Sequence, residues 1–406
     1  MRYVLADLDL AQPLPSLELP EDAGGAGVLV RLNDRPVAFF ITALQPRRLN
    51  PDAVRELVWK NAWINITLEL LRRELPPRDV VGQFPRVTVA ICTRDHPAMV
   101  ERAIHSLIVS AQAAAIEGGQ FEILVVDNAP SDDRTAKIAK SFESVRYVCE
   151  PKPGLDFARN CALAEASGEI LAFVDDDAVV DRDWLRGLRK AWIENPDAAA
   201  ITGPVIPYEL ETTAQVLFEA RGGFGHIFEP RRFGPDCRYI RNYPCNAGFF
   251  GAGCNMAFSR RVLIALGGFD EALDTGAPLP GGGDLDILYR ILRAGYILVQ
   301  EPRFLVRHQD RREYRQLRHQ MYTWGLGMMT YAAKNYGHDR AHRGDFRCMI
   351  LGWFRETAKM MFNSAVGGRF WKTDLACYEF WGGIVGICGE YGRSKRRIAR
   401  IRKRFA

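Results

Sequence analysis

Between residues 87 and 174, short apolar runs alternate with segments in which apolar residues recur at helical spacing. The apolar runs predict four strands, over residues 87–92, 121–126, 145–149 and 170–174. Helices are expected between them, one starting near Pro97, one over residues 135–142 and one ending at Gly168. Strands that alternate with helices favour a parallel sheet with helices on both faces, and the nearly continuous apolar runs fit strands buried on both sides.

The segments on either side of this region have different patterns. Residues 28–42 predict two strands around a turn at residues 33–36, and a helix is expected from Pro51 to just before Pro76 and Pro77, with residues 76–86 as a joint. A helix is also expected over residues 311–336. The pattern therefore predicts an α/β protein with a small N-terminal hairpin-plus-helix unit (1–80), a central α/β domain (86–310) and a helical C-terminal extension (311–406).

The composition is that of an ordinary globular chain of 406 residues, of which 48% are hydrophobic and 25% charged. No secretory signal is readable at the start, so a cytoplasmic location is expected. The nine cysteines include no C-x-x-C pair. They are expected to be buried, reduced thiols rather than disulfides or a zinc site.

The positive charge is concentrated after Gly392, where eight Lys and Arg residues occur without an acid. Without those eight, the net charge of +5 becomes −3, so nucleic acid is not an expected partner. No window of residues 350–388 reaches the roughly 18 apolar residues of a spanning helix. The apolar segment 380–388 and the basic tail would suit a peripheral position on an anionic, cytoplasmic membrane surface. The alternative is a core helix followed by a solvated tail.

The sharpest chemical signal is the run Asp175, Asp176 and Asp177, directly after a buried strand. In an extended backbone the first and third side chains point the same way, so Asp175 and Asp177 can share a divalent cation. Such an ion, Mn²⁺ or Mg²⁺, could hold a diphosphate and stabilise charge on a leaving group. The alternative is a solvated turn that caps the helix over residues 181–194.

A second acidic site is expected in residues 281–290, GGGDLDILYR. Asp284 would lie at the start of a helix, where exposed backbone amides stabilise a carboxylate that can also face a cleft. A plain helix cap is the alternative.

Taken together, the motifs resemble the family 2 glycosyltransferases, which have the GT-A fold. The resemblance covers about residues 86–310. The matching pieces, in order, are VTVAICTRDHP, FEILVVDNAPSDDRT, GLDFARNCALAEASGE, ILAFVDDDA, GCNMAFSRRVLIALGGFDEAL and GGDLDILYRILRAG.

The resemblance assigns roles to individual residues. It implies that Asp175 and Asp177 hold the metal and the donor's diphosphate as part of the triplet with Asp176, and that Asp284 is the catalytic base. The nucleotide-sugar pocket would also be formed by Thr93, Arg94, Asp127 (against the base), Arg159 and Asn160. His308 follows another apparent strand and is either a further metal ligand or a structural histidine.

The chain departs from the family pattern at Gly283. Relatives commonly have Glu-Asp where this sequence has Gly283 and Asp284, so Asp286 is an alternative base. Asp284 is preferred because Asp286 and Arg290 lie four residues apart on the expected helix and can pair with each other.

The expected reaction is a single displacement with inversion, in which a carboxylate deprotonates the acceptor hydroxyl as it attacks the anomeric carbon. The implied donor is a nucleotide-diphosphate sugar, UDP-sugar first, and the acceptor a glycan or lipid-linked glycan. Residues 204–250 lie where acceptors bind in the family, although most of their aromatic side chains are expected to pack against the body. A nucleotidyltransferase would need a glycine-rich loop where this chain reads CTRDHPAM, and the missing acid at Gly283 would suit a non-catalytic scaffold.

Overall fold

The structure, a computed structural model, describes residues 2–75, 84–116, 120–273, 279 and 281–405. Most of the predicted joint over residues 76–86 therefore lies outside the described residues. The N-terminal unit contains β1 (Arg2–Asp9), β2 (Leu17–Glu18), β3 (Ala23–Leu32), β4 (Arg35–Ala43), β5 (Arg48–Leu49) and α1 (Pro51–Glu74).

The predicted N-terminal hairpin is confirmed as β3 and β4, which pair antiparallel. Its turn is formed by Asn33 and Asp34, which have φ values of 49° and 63°. Two consecutive left-handed residues give a turn whose twist matches that of the strands. The sequence pattern missed β1, which pairs parallel to β3 and makes the sheet three-stranded, in the order β1-β3-β4.

The central domain is built on an eight-stranded sheet. Its strands are β6 (Val87–Thr93), β7 (Phe121–Asn128), β8 (Val145–Glu150), β9 (Ile170–Asp175), β11 (Ala198–Thr202), β13 (Arg231–Phe233), β14 (Asn255–Ser259) and β15 (Ile297–Gln300), in the order β13-β15-β11-β14-β9-β6-β7-β8. A separate small sheet contains β10 (Ala178–Val180), β16 (Val306–His308) and β12 (Val205–Pro207), in that order.

The four predicted strands are all present and parallel to one another. The helices that accompany the sheets are α2 (Pro97–Ala113), α3 (Arg134–Lys140), α4 (Leu155–Glu165), α5 (Trp184–Glu194), α6 (Thr213–Ala220), α7 (Arg260–Ala265) and α8 (Gly283–Arg293). The helix expected to end at Gly168 stops at Glu165. Alternate residues of β6 face two different apolar clusters, Ala90 on one side of the sheet and Ile91 on the other, so both faces are covered as expected.

The C-terminal extension is helical, as the pattern indicates. It contains α9 (Tyr314–His338), α10 (Arg343–Val366), α11 (Phe370–Val385) and α12 (Tyr391–Arg404). The basic tail, α12, packs on the central domain through Ile398, which contacts a cluster that includes Phe157 and Ala272. None of the described helices combines the length and hydrophobicity that a membrane-spanning segment requires.

The N-terminal unit docks on the back of the small sheet. Leu29 and Phe39 pack with Ile206 and Leu305, and Arg31 Nη2 lies 2.6 Å from Asp181 Oδ2. The nine cysteines differ from expectation: Cys149, Cys348, Cys377 and Cys388 are exposed rather than buried, and no disulfide joins any of the nine.

Candidate active site

The acidic run lies where the strand order of the main sheet reverses. The chain passes from β6 to β7 and β8 on one side and then returns to β9 on the other side of β6. Ligands of such sheets bind in the crevice beyond the carboxyl ends of the strands at this reversal. Thr93 ends β6, Asp127 lies near the end of β7, and Asp175 ends β9.

Asp176, the middle acid, points away from its neighbours and towards β6. The Thr93 hydroxyl donates to Asp176 Oδ2 over 2.6 Å, and His96 Nδ1 lies 3.0 Å from the same oxygen. Thr93 and Asp176 therefore fix the relative position of the two strand ends. The Arg94 side chain is more than half exposed and lies 3.7 Å from Asp95 Oδ2.

Asp177 is adjacent to His308, with Asp177 Oδ1 3.2 Å from His308 Nε2. The small sheet causes this contact, because Ala178 of β10 is paired directly with His308 of β16. The other ring nitrogen, His308 Nδ1, lies 2.9 Å from Asp310 Oδ1. Burial opposes ionisation of Asp177, but the adjacent His308 lowers the pKa of this carboxyl to about 2. Burial raises the pKa of Asp175 to about 6, against the lowering effect of Arg159.

Arg159 connects the acidic run to the rest of the crevice. Its Nη1 lies 3.1 Å from Asp156 Oδ1 and its Nη2 lies 3.9 Å from Asp175 Oδ1. The guanidinium also stacks over Phe269, with 5.4 Å between the guanidinium carbon and the ring centroid. These contacts hold a buried cation beside the first acid of the run.

Asp284 lies in the first turn of α8 and faces the same crevice. Its Oδ2 accepts a hydrogen bond from the Gly253 backbone N–H over 3.0 Å. A Cβ built on Gly253 would lie 3.0 Å from Arg159 Nη2 and 3.1 Å from Asp284 Oδ2. Gly253 thus lies at the narrow point between the Arg159 guanidinium and the Asp284 carboxylate.

Asp286 has a structural environment instead. It is fully buried, its Oδ2 accepts from Arg290 Nε over 2.7 Å, and its Oδ1 accepts from Lys334 Nζ over 2.7 Å and from Asn335 Nδ2 over 3.1 Å. The pairing with Arg290 expected from the sequence is present. Both carboxylate oxygens of Asp286 are engaged, whereas Asp284 reaches the crevice.

The structure explains why a glycine occupies position 283. A Cβ on Gly283 would lie 2.0 Å from Asp156 Oδ2, a distance that no side chain tolerates. The carboxylate of Asp156, from the first turn of α4, fills the space in which a side chain at 283 would begin. Sequence reasoning assigned no role to Asp156, although its spacing of three residues from Arg159 was a usable signal for an ion pair.

Asp127 is fully buried at the end of β7, beside Tyr147 of β8. The Tyr147 hydroxyl donates to Asp127 Oδ2 over 3.0 Å, while Asp127 Oδ1 is buried and finds no hydrogen-bond partner among the described residues. Burial raises the pKa of Asp127, against the lowering effect of this hydrogen bond. A buried acceptor without a partner favours a ligand N–H at this position.

Asn160, predicted in the nucleotide pocket, is engaged with the loop before α8. Its Nδ2 donates to the Phe269 carbonyl over 3.0 Å and its Oδ1 accepts from the Phe269 N–H over 2.8 Å. Asn160 thereby positions the ring on which Arg159 stacks. Most aromatic side chains of residues 204–250 pack against the body as expected, among them the buried Phe218, Phe228, Phe233 and Phe250.

The carboxylates converge around a single buried thiol. Burial raises the pKa of Cys254 well above its ordinary value, and four nearby carboxylates add to this effect, those of Asp175, Asp177, Asp284 and Asp310.

Within the described part of the chain, no three His, Cys, Asp or Glu side chains are arranged as a complete metal site. The Asp177–His308 pair fits a partial site, because metal-bound histidines commonly donate their second ring N–H to a carboxylate, as His308 can to Asp310.

Comparison with known proteins identifies relatives. Residues 88–267 match the family model described as Glycosyl transferase family 2. A glucosyl-dolichyl phosphate glucuronosyltransferase of Haloferax volcanii is 27% identical over 188 residues, which cover 46% of this chain and 56% of that protein. The succinoglycan biosynthesis protein ExoM of Rhizobium meliloti is 29% identical over 204 residues, which cover 48% of this chain and 62% of that protein. This chain therefore spans less than two thirds of the length of either relative.

A solved structure with a similar outline is the mannosyltransferase PcManGT from Pyrobaculum calidifontis, in complex with GDP-Man and Mn²⁺. The two chains are 17% identical, with a TM-score of 0.48, and the alignment covers 80% of this chain and 94% of that one.

Proposed function

Because residues 88–267 match the family model described as Glycosyl transferase family 2, we propose that this chain transfers a sugar from a nucleotide-diphosphate donor to an acceptor hydroxyl with inversion. The observation that carries the proposal is the meeting of the two acidic sites at Gly253. Arg159, which lies beside Asp175, and the carboxylate of Asp284 both lie about 3 Å from the position of a Cβ on that glycine. A donor held at the acidic run would present its sugar to Asp284.

The donor's nucleotide lies between β6 and β7 in this proposal. The buried Asp127 Oδ1 accepts an N–H of the base, a donor that the N3–H of uracil would provide in a UDP-sugar. Thr93 and Asp176 shape the floor of the pocket, and Arg94 closes it from the exposed side. Arg159 adds a positive charge beside the diphosphate.

A divalent cation fits the end of the acidic run. Asp177, His308 and Asp175 would hold Mn²⁺ or Mg²⁺, with the donor's phosphate oxygens completing the coordination, because Mg²⁺ sites commonly combine one or two carboxylates with substrate phosphates. When bound, the ion would neutralise the charge on the departing diphosphate. Asp310 holds the His308 ring through Nδ1, which leaves Nε2 on the side of Asp177, where it would be available to a metal.

Asp284 acts as the base in this proposal. The Gly253 N–H holds one carboxylate oxygen, which leaves the second to accept the proton of the acceptor hydroxyl as that hydroxyl attacks the anomeric carbon. A direct attack inverts the anomeric configuration. The name of the Haloferax volcanii relative includes a dolichyl phosphate, which supports a lipid-linked glycan as the acceptor.

The test measures nucleotide diphosphate released from a panel of sugar donors with Mn²⁺ or Mg²⁺. Asp284→Asn is expected to abolish transfer while nucleotide affinity, measured by calorimetry, is kept. Asp177→Asn is expected to lower metal-assisted nucleotide affinity itself. Asp52→Asn, on the exposed face of α1, is the matched control and should leave both quantities unchanged.

Other products would contradict the proposal. Pyrophosphate release would identify a nucleotidyltransferase, and the absence of any release with every donor and acceptor would favour a non-catalytic scaffold. Transfer by Asp284→Asn at the native rate would refute the assignment of the base.

A further inference from the structure

The hairpin of α10 and α11 ends in an apolar surface that faces solvent. We call residues 359–372 the hairpin end. The exposed fractions of Phe362, Val366 and Phe370 are 69%, 74% and 74%. Soluble proteins seldom leave large apolar side chains so exposed side by side, and such groups mark interaction surfaces.

The hairpin end is also basic. Lys359, Arg369 and Lys372 lie among the apolar side chains, and no Asp or Glu occurs from residue 357 to 373. The neighbouring start of α9 carries both signs of charge, the exposed Arg315 and the exposed Glu313. That helix start is close, because Tyr314 and Trp371 belong to one apolar cluster. Apolar side chains surrounded by basic ones complement a surface in which anionic groups lie over an apolar layer.

The hairpin end is held in place by close packing behind it. Glycines of α9 and α11 bring the two helices into contact: a Cβ on Gly325 would lie 2.0 Å from the Glu379 carbonyl oxygen. Helix α10 is fixed to α11 by the edge-to-face contact of Phe354 with Phe380, whose ring centroids lie 5.2 Å apart. The apolar side chains are therefore presented on a rigid support.

A second exposed apolar face provides a contrast. Helix α1 exposes Trp59 and Trp63, at 55% and 50%, but their helical neighbours include Glu56 and Lys60, so this face has mixed charge. Of these two surfaces, only the hairpin end combines exposed apolar side chains with charges of a single sign.

We propose that the hairpin end docks on an anionic lipid surface. Phe362, Val366 and Phe370 would enter the interfacial layer, while Lys359, Arg369 and Lys372 contact lipid phosphates. In the segment 380–388, expected from the sequence to face lipid, Gly382, Gly383 and Gly386 are buried, whereas Trp381 is 59% exposed. A role for that segment stays a prediction. The proposal is independent of the enzymatic activity.

The experiment is flotation of the full chain with vesicles of phosphatidylcholine alone or of phosphatidylcholine with phosphatidylglycerol. We expect binding only to the anionic vesicles, weaker at high salt. The charge variant Lys359→Gln/Arg369→Gln/Lys372→Gln should bind at least about tenfold more weakly, because each basic residue near an anionic surface contributes about 1 kcal/mol. The apolar variant Phe362→Ser/Val366→Ser/Phe370→Ser should show a similar loss. Each variant's thermal unfolding is recorded to confirm folding.

The matched control is Trp59→Ser/Trp63→Ser, which removes exposed aromatic groups from α1 and should leave vesicle binding unchanged. The proposal is overturned if the wild-type chain does not float, if both hairpin variants bind as the wild type does, or if only removal of residues after Gly392 abolishes binding. It is also overturned if sedimentation shows a dimer that the apolar variant dissociates while no vesicle binds, since the surface would then belong to a second copy.

Discussion

At the scale of single residues, the crevice depends on a close steric fit between two helices, α4 and α8. Asp156 of α4 occupies the volume in which a side chain at position 283 of α8 would begin. The same carboxylate pairs with Arg159, which lies beside Asp175. Gly283 is therefore required by the position of Asp156, and Asp156 also positions Arg159 beside the acidic run.

Gly283→Ala tests this dependence. The new methyl group would displace Asp156 and with it Arg159, so we expect weaker nucleotide affinity and a loss of about 1–3 kcal/mol in the free energy of unfolding, typical of overpacking. Gly344→Ala, near the start of α10 with nothing within 4 Å of the added methyl group, is the control. In the Asp156→Ala background, Gly283→Ala should cost much less than it does in the wild type. Equal costs in both backgrounds would show that the two residues do not compete for space.

The sequence predicted the ion pair of Asp286 with Arg290 but could not predict the contact of Gly283 with Asp156. Asp286 and Arg290 are four residues apart on one helix, so helical geometry alone indicated their ion pair, which is present. The contact of Gly283 with Asp156 joins two helices that are far apart in the chain. The sequence of one helix gives no information about which residue of the other helix lies against it. The preference for Asp284 as base remains a prediction, consistent with the engagement of both Asp286 oxygens.

At the scale of elements, α9 and α11 approach so closely that only glycine fits at their points of contact. A Cβ on Gly382 of α11 would lie 1.9 Å from the Tyr322 carbonyl oxygen of α9, whereas a Cβ on Gly352 of α10 meets nothing within 4 Å. Gly382→Ala should therefore separate the helices and lower the free energy of unfolding by about 1–3 kcal/mol. Gly352→Ala should raise it by up to about 1 kcal/mol, because alanine has the higher helix propensity. Urea denaturation measures both, and a gain for Gly382→Ala would contradict the packing.

Glu122 joins three elements around the first parallel strands. It accepts hydrogen bonds from the Thr88 hydroxyl of β6 over 2.6 Å, from Arg146 Nε of β8 over 2.9 Å and from the Ser167 hydroxyl after α4. Burial opposes ionisation, but these bonds hold the pKa of Glu122 at about 2, below its ordinary 4.5. The ionised carboxylate is therefore a cross-link of the sheet.

A lowered carboxyl pKa makes stability depend on acidity in a defined direction. The contribution of Glu122 is present above pH 4.5 and is lost as the pH falls towards 2, because the unfolded chain takes up the proton first. We expect Glu122 to contribute about 2 kcal/mol of the wild type's loss across this window, reduced from the full shift for partial solvent screening. In denaturation measured at both ends of the window, Glu122→Gln should reduce the fall in the free energy of unfolding by that amount, while the exposed Glu56→Gln should leave the fall unchanged. An unchanged slope in Glu122→Gln would exclude this carboxylate as its source.

The elements show where a local pattern is sufficient. The strands β6 to β9 and the helices between them were predicted because each has its own period and its own ending signals. The strand β14 between β9 and β11 pairs antiparallel with both. That pairing depends on contacts between distant segments, as does the parallel pairing of β1 with β3. The local hydrophobic pattern of a strand does not indicate which strand it pairs with.

At the scale of the whole molecule, the N-terminal unit and the acidic run share one support. Arg31 of β3 reaches Asp181 with Nη2–Oδ2 at 2.6 Å, and Asp7 of β1 lies 2.7 Å from both Arg31 Nε and Arg307 Nη2. Arg307 precedes His308, and Asp181 follows the strand that begins after Asp177. The sequence predicted the hairpin and the helix of this unit but not its docking, because the ion pairs that dock it join residues 150 and 300 positions apart in the chain.

Removing one carboxylate should loosen this docking without disturbing the main sheet. Asp181→Asn leaves a mostly buried Arg31 with Asp7 as its remaining acidic partner, so we expect a loss of about 2 kcal/mol, below the 3–5 kcal/mol typical of a fully broken buried pair. Hydrogen exchange should quicken in β3 and β4 and in β10 and β16, but not in β6 and β7. Asp22→Asn, whose carboxyl pairs with Arg2 at 63% exposure, is the control and should leave both stability and exchange in these strands essentially unchanged. If exchange in β10 and β16 were unchanged in Asp181→Asn, the N-terminal unit would not support the edge that carries Asp177 and His308, and its docking would serve the stability of the unit alone.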